Sequence, residues 1–572
     1  MSAYFKKYVL FVCISILAMG MQAKTKAFPT AEGFGCMASG GRGGKVVEVT
    51  TVADNATNPP VGSFRWALQQ YPGEPITIVF RVSGLINLVS GKTGEVRCKR
   101  DNFTLAGQTA PGDGICIMGN KVNLGGSNNV IIRHLRFRIG TMIDPVTGEP
   151  DPDGKGSIDF ENASNWIIDH STFGWSGEEN MTIYDNKNTT IQWCIIHEGL
   201  YRSGHNKGDR GYGTQWGGQN ATFHHNLLAH NYSRSPRFNG ARSNDVNVLI
   251  DYVNNVNYNW GKANSCYGSD IELTSNKTNF VNNYYKPGPA RPGTSSSYFT
   301  QSSVASGQTA YKVALWYMNG NYMEGSANTA KNTNNYLGLD ASYYTAMGVS
   351  ADALKSDAPF PIAYPVTTET AQEAYNSVLT GAGAFPRDIV DSRIVNEVRT
   401  GTATGVGVEG AAKGIIDGII DSPDGVGGYP TYETYNTVID SDHDGMPDDW
   451  EIAHGLDPNN PDDRNLLMES GYTALEVYLN ELAGETIEFK LVTSIPEIQT
   501  PGLSIFLSGS ELCVTPDMNI DCIRIYNLLG QILMSKKNVN SPKINISNLS
   551  EGVYIAEITT QNGVNKTLKF NK

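Results

Sequence analysis

Cysteine, positive charge and long apolar runs are all scarce in this 572-residue chain. Eight cysteines, one of them at position 13, leave an odd seven downstream, too few for a disulfide-built scaffold. Most read as small buried hydrophobes. Cys98 and Cys116, and Cys513 and Cys522, are near enough in sequence to pair. The one notable apolar run, Tyr8 to Gly20, is thirteen residues long and follows Lys6 and Lys7. That is too short to span a bilayer and matches a secretory signal cleaved near Ala23; no later stretch suits a membrane helix. With 44 Lys and Arg against 57 Asp and Glu, the formal charge is −13, which argues against a nucleic-acid partner. Hairpin signals such as Asn-Gly are also sparse, which disfavours an antiparallel sandwich for the body of the chain.

What is present is a repeat. A polar turn, a few alternating apolar residues and another turn recur from about residue 125. Leu135, Ser171, Cys194, Asn226, Asn255, Asn283 and Asn321 align at one position, with steps of 36, 23, 32, 29, 28 and 38 residues. A minimal coil of about 22 residues with loops of variable length gives that pattern, which predicts a right-handed parallel β-helix. Asn226, Asn255 and Asn283 are placed to bond coil to coil in a ladder. A solenoid has open ends that need covering. The stretch 62–70, with Ser63 as N-cap, predicts a short helix over the first coil. Residues 367–379 and 391–399 predict helices against the other end or along the side.

Charge is unevenly spread along this repeat. Residues 199–242 hold six cations, Arg202, Lys207, Arg210, Arg234, Arg237 and Arg242, against one acid, Asp209. His205, His224, His225 and His230 join them. Asp169, Glu178 and Glu179 lie just upstream. An acidic protein that gathers its cations opposite a carboxylate cluster suits a polyacid, held partly by arginine and lysine and partly through a metal. His224 and His225 also suit a turn ladder or a groove wall. Trp175, Trp216, Tyr212 and Tyr232 suit either sugar stacking or the core.

Five motifs in order, Gly40-Gly-Arg-Gly-Gly44, Gly107-Gln-Thr-Ala-Pro-Gly-Asp-Gly114, Trp166-Ile-Ile-Asp-His170, His224-His-Asn226 and Arg234-Ser-Pro-Arg237, resemble the pectate lyases of polysaccharide lyase family 1, most of all the secreted forms of Bacteroidetes. The resemblance covers about residues 28–400 and in part continues to about 485. It implies calcium-dependent β-elimination on polygalacturonate, leaving a 4,5-unsaturated end. It implies that Ca²⁺ withdraws charge from the substrate carboxylate and stabilises the enediolate. It further implies Arg234 as the base, or as a stabiliser while a water takes the proton. Lys207 and Arg237 join Arg234 as catalytic candidates; Arg210, His205, His225 and Arg242 are candidates for holding substrate. Asp169, Glu178 and Glu179 are the metal candidates, with the Arg234 guanidinium expected across a shallow trough from Asp169 and Glu178. Two positions depart from the family pattern: a carboxylate falls on Thr182 and an arginine on Asn239. The competing readings are a β-helical pectin hydrolase and a pectin-binding protein without activity.

A second metal signal is independent of the repeat. Asp440, Asp442, Asp444, the Met446 carbonyl, Asp448 and Glu451 fill a twelve-residue calcium-loop template, with Gly445 at the sharp turn. Beyond it, alternating strands predict a small antiparallel β-sandwich. Residues 525–531, 549–555 and the final Lys-Phe-Asn-Lys resemble the C-terminal sorting domain of type IX secretion substrates. The expected layout is a signal peptide at 1–23, the β-helix at 24–400, a Gly-rich linker and calcium-loop module at 401–485, a linker at 486–503 and the sandwich at 504–572. The expected protein is a monomer, secreted or held at the outer cell surface.

Overall fold

The computed structural model describes residues 25–89, 91–143, 147–151, 153–238, 247–269, 276–291, 298–304, 313–326, 328–492, 504–515, 520–527, 531–550, 552–561 and 565–572. The signal-like segment, Arg242 and Asn239 lie outside them. Nine coils each give one strand to each of three parallel sheets, and Lys45–Val49 adds a further strand to the first. The first sheet has ten strands, from Lys45–Val49 at one edge to Leu315–Asn319 at the other. The second has nine, from Gly84–Asn87 to Tyr322–Met323, and the third has nine, from Val96–Arg97 to Leu339–Asp340. This is the right-handed parallel β-helix that the repeat predicts.

Alternation explains the core. In the first sheet Val130, Trp166 and Ala221 point inward, as do Ile132, Ile168, Ile191 and Phe223, and the in-register pairing stacks them coil on coil. The bend from the first sheet into the second is a single left-handed residue: His134, His170, Trp193, His225, Asn254 and Asn282 all have φ between 42° and 56°. The next position is the aligned column. There the Asn226 amide donates to Asn255 at 3.0 Å, Asn255 to Asn283 at 3.2 Å and Asn283 to Asn321 at 2.8 Å. The ladder runs beyond the three residues picked from the sequence, to Asn321 and on to Asn335. It satisfies backbone groups that a buried turn would otherwise orphan.

Ser63 caps the helix Phe64–Ala67, whose Phe64 and Ala67 join the core beside Val47 and Val49. Thr370 and Glu373 form a capping box on Ala371–Gly381, and Asp388 caps Ile389–Thr400. Both helices lie along the side of the solenoid, burying Val378, Ile394 and Val398 against Ile195, Leu227 and Val256 of the second sheet. Residues 401–430 also pack there: the Tyr429 hydroxyl donates to the Arg138 carbonyl at 2.6 Å.

The chain divides into two compact units, residues 1–466 with 470–489, and residues 467–469 with 490–572. The second unit holds two antiparallel sheets of three and four strands around Ile523, Ile525, Ile544 and Ile558. Neither suggested disulfide forms. Cys36, Cys98, Cys116, Cys194, Cys266, Cys513 and Cys522 are all free thiols, six of them buried.

Candidate active site

The third sheet carries the site on its outer face. Ile158 and Phe160, Met181 and Ile183, Trp216, and Phe238 point into the core from successive strands. Alternation therefore turns Asp159, Thr182, Gln215 and Arg237 outward, and parallel register sets them in one row across four coils. Loops that link the second sheet to the third rise beside this row. Together they enclose a cavity of about 610 Å³. Its carboxylates are Asp153, Asp159, Glu178 and Glu179, and its cations are Lys121, Lys155, Lys207, Arg210 and Arg234.

Opposite charges meet throughout. Glu178 lies 2.7 Å from His205 Nε2 and 3.5 Å from both Lys207 and Arg210. His205 Nδ1 accepts the Lys207 backbone N–H at 3.0 Å, so Nε2 is left to donate to Glu178. Burial lowers the proton affinity of this histidine, and Glu178 works against that shift. Lys121 pairs with Asp159 at 2.5 Å, and Asn206 donates to Asp153 at 2.8 Å.

Arg234 is largely covered, its side chain 14% exposed. It follows the loop at φ 58°, and its carbonyl accepts the Thr214 N–H at 2.7 Å. Its guanidinium pairs with Glu179 and lies 3.9 Å above the Tyr212 ring. Burial lowers its pKa from the usual arginine value; Tyr267 opposes that shift and Arg237 adds to it. The arrangement is a wall of fixed cations over hard oxygen donors, which suits an anionic substrate with acidic C–H bonds.

Of the residues picked from the sequence, Arg234, Lys207, Arg210, His205, Glu178 and Glu179 line one cavity. Arg237 adjoins it on the next strand, its guanidinium 5.6 Å from the Tyr267 ring. Asp169 does not belong there. It ends a first-sheet strand, on a different wall from Arg234, and is fully buried. Its oxygens take Arg133 Nε, Gln192 Nε2 and His170 Nδ1, each at 2.8 Å. Burial would raise this carboxyl, but His170 and Arg133 outweigh it and hold it well below the carboxylate range. Arg133 in turn reaches Glu485 at 2.6 Å and Asn480 at 3.0 Å, so Asp169 anchors the C-terminal arm of its unit. His225 is also misassigned as a substrate residue. It is buried at the first bend, with its ring centroid 4.4 Å from that of Trp193, in a stack that continues to His170 and His134. Trp175 and Trp216 are buried as well.

Sequence reading missed Asp153, Asp159, Lys121 and Lys155. Asp159 stands in register with Thr182, where the family pattern seemed to lack a carboxylate, one coil earlier. Aligning Ser157-Ile-Asp-Phe with Asn180-Met-Thr-Ile would have exposed it.

The calcium-loop candidates form a separate cluster. Asp440, Asp442 and Asp444 converge, but Asp448 turns back to Ser441, accepting its N–H and hydroxyl at 2.7 Å. Burial and mutual repulsion push Asp442 up to about 6, Asp444 to about 7 and Glu451 to about 8.

The chain is similar to fungal proteins along most of its length. It is 32% identical over 460 residues to "Probable pectate lyase C" of Emericella nidulans, covering 80% of this chain and 93% of the relative. It is 33% identical over 458 residues to the protein of that name from Aspergillus terreus, covering 80% and 94%. Residues 491–570 match the family described as a domain of unknown function, DUF8694. Among solved structures, the cedar pollen allergen Jun a 1 aligns over 62% of this chain and 92% of its own at 16% identity and a TM-score of 0.43. Pectate lyase C of Erwinia chrysanthemi, solved with Ca²⁺, aligns over 63% and 98% at 16% identity and a TM-score of 0.37.

Proposed function

The chain belongs to the pectate lyase family, and from that premise we propose that the third-sheet cavity cleaves polygalacturonate by β-elimination, leaving a 4,5-unsaturated end. The observation that carries this reading is Arg234, a largely covered guanidinium, 14% exposed, in a cavity that also gathers four carboxylates and four further cations. The substrate is a chain of carboxylates, and Lys207, Arg210 and Lys155 supply the charge to hold it. The proton to be removed lies on C5, next to a carboxylate, and is weakly acidic. Arg234 takes that proton, the C4–O bond to the neighbouring sugar breaks as the C4–C5 double bond forms, and the departing oxygen takes a proton from water. Burial and the neighbouring Arg237 lower the proton affinity of Arg234, against Tyr267 and Glu178, which raise it. Tyr212 beneath the guanidinium and Glu179 beside it fix its direction.

The donor set also suits calcium. Asp153, Asp159, Glu178 and Glu179 offer hard oxygens, the ligands Ca²⁺ takes; no three of them stand within 4.8 Å of one another, so the substrate carboxylate would complete the shell. When bound, the ion withdraws charge from the substrate carboxylate and so acidifies C5. His205 keeps Glu178 oriented through its Nε2 proton.

Incubation with polygalacturonate and Ca²⁺ is expected to raise the ultraviolet absorbance of unsaturated product, and EDTA to abolish the rise. Arg234→Ala is expected to lower the rate by about 10²–10⁴-fold while the fold is kept. New reducing ends without absorbance point instead to a hydrolase, and binding without turnover to a pectin-binding protein.

The signal-like segment and the C-terminal sandwich extend the proposal to export, with residues 504–572 addressing the protein to a type IX secretion system and the outer surface. A reporter fused to those residues, retained inside cells that carry that system, excludes this part.

A further inference from the structure

Asp448 leaves a gap in the calcium loop, and a residue outside the loop stands where a replacement is needed. Asp463 opens the turn Asp463–Asn465, after the helix Asp448–His454 has ended. Asp444, Glu451 and Asp463 each place an oxygen within 4.8 Å of the others, and Asp440, Asp442 and Asp444 do the same. Asp444 belongs to both groups. Opposite ligands around one Ca²⁺ lie about 4.6–5.2 Å apart, so both groups fit a single shell.

The cluster has more than charge to mark it. Glu451 is fully buried, and neither of its oxygens has a hydrogen-bond partner. Asp444 is 1% exposed and its Oδ2 is unpartnered; so are Asp442 Oδ2 and Asp463 Oδ1. Buried carboxylate oxygens are costly unless a cation or donor meets them. Backbone donors occupy the other side of the loop: Asp440 accepts the Asp444 and Gly445 N–H groups, and Asp444 Oδ1 accepts that of Met446. The unpartnered oxygens are thus the ones free to meet an ion.

We propose that these residues bind one Ca²⁺, that Asp463 rather than Asp448 closes its shell, and that the ion clamps this module onto the edge strand of the β-helix. The oxygens are one from Asp440, Asp442 Oδ2, Asp444 Oδ2, the Met446 carbonyl, both of Glu451 and Asp463 Oδ1. That makes about seven, within the six to eight that Ca²⁺ takes. The clamp follows from what the loop already touches. Asp440 pairs with Arg81, which pairs with Glu48 of the edge strand Lys45–Val49 at 2.8 Å. His443 lies 2.9 Å from Glu48, and Arg464, next to Asp463, donates to the Gly44 carbonyl at 3.3 Å. The ion therefore joins two segments that each grip the open edge of the first sheet. This site is distinct from the cavity of the third sheet and does not depend on its chemistry.

Calcium titration of the full chain after chelation, by calorimetry and by thermal unfolding, tests the proposal. Asp463→Asn is expected to weaken one binding event by at least about tenfold and to remove most of the calcium-dependent rise in unfolding temperature. Asp448→Asn is expected to keep both. In chelator, Asp463→Asn is expected to unfold no earlier than the native chain, because it removes a buried charge. Glu451→Gln, which keeps the side-chain shape, provides the same reading through a second residue. Native calcium binding by Asp463→Asn and Glu451→Gln, or equal loss in Asp448→Asn, overturns the proposal.

Discussion

Replacing Asp169 separates a structural carboxylate from a metal ligand. Its side chain is fully buried and meets Arg133, Gln192 and His170 at 2.8 Å each. In Asp169→Ala, Arg133 keeps Glu485 and Asn480 but loses its partner on the sheet. Breaking a buried ion pair from one side costs about 3–5 kcal/mol, because an uncompensated charge remains. In a solenoid the loss falls on neighbouring coils and on the arm held through Asn480 and Glu485. Urea unfolding followed by tryptophan fluorescence reads it, since Trp166 and Trp193 lie in the same and the next coil. The midpoint is expected to fall markedly, while the calcium concentration needed for half-maximal cleavage stays unchanged under conditions where both proteins are folded. The acid behaviour has a definite sign. The native pKa of Asp169 is depressed, so its contribution is present above the unfolded value of about 3.9 and is lost as pH falls below it. The two proteins therefore converge in strong acid. A variant with the native midpoint but a raised calcium requirement would refute this account and return Asp169 to the metal.

Three further substitutions probe the site and the scaffold. Asp159→Asn is expected to raise the calcium needed for cleavage by about tenfold with little effect on stability; an unchanged calcium dependence removes it from the ligand set. Asn255→Ala cuts the ladder at two bonds and leaves the Asn226 amide short of its acceptor, so the unfolding free energy should drop by about 1–3 kcal/mol; no drop means the turn is held by backbone alone. Burial lowers His225 to about 4, below its unfolded value of about 6.5, so the unfolded chain takes up the proton first. His225 is expected to contribute about 3 kcal/mol to the loss of stability between pH 6.5 and 4, beside the buried His134, His197 and His224, which are lowered as well. His225→Phe, which keeps the stack on Trp193, should reduce the slope by that share, and an unchanged slope places the titration on the others.

Local patterns were legible where one residue type has one physical use. The asparagine column needed only a spacing and a turn, and Ser63 marked a helix start through its cap. Lys207, Arg210 and Arg234, picked by charge alone, line the third-sheet cavity. Asp169 misled because a Trp-x-x-Asp-His string gives a residue type and not a wall. Its neighbours Arg133 and Glu485, 36 and 316 residues away, decide its role. His225 misled for a similar reason: a histidine beside arginines in sequence stacks on the bend of another sheet.

The chain by itself determined the coil, since alternation and turn chemistry act over a few residues and do not depend on what packs later. Which side chains share a cavity was decided only by stacking. Coil lengths vary from 23 to 38 residues, so no fixed spacing sets Asp159 opposite Thr182 or brings Asp153 near Arg234. That alignment comes from hydrogen-bonded register between strands, and register is a property of the assembled sheet.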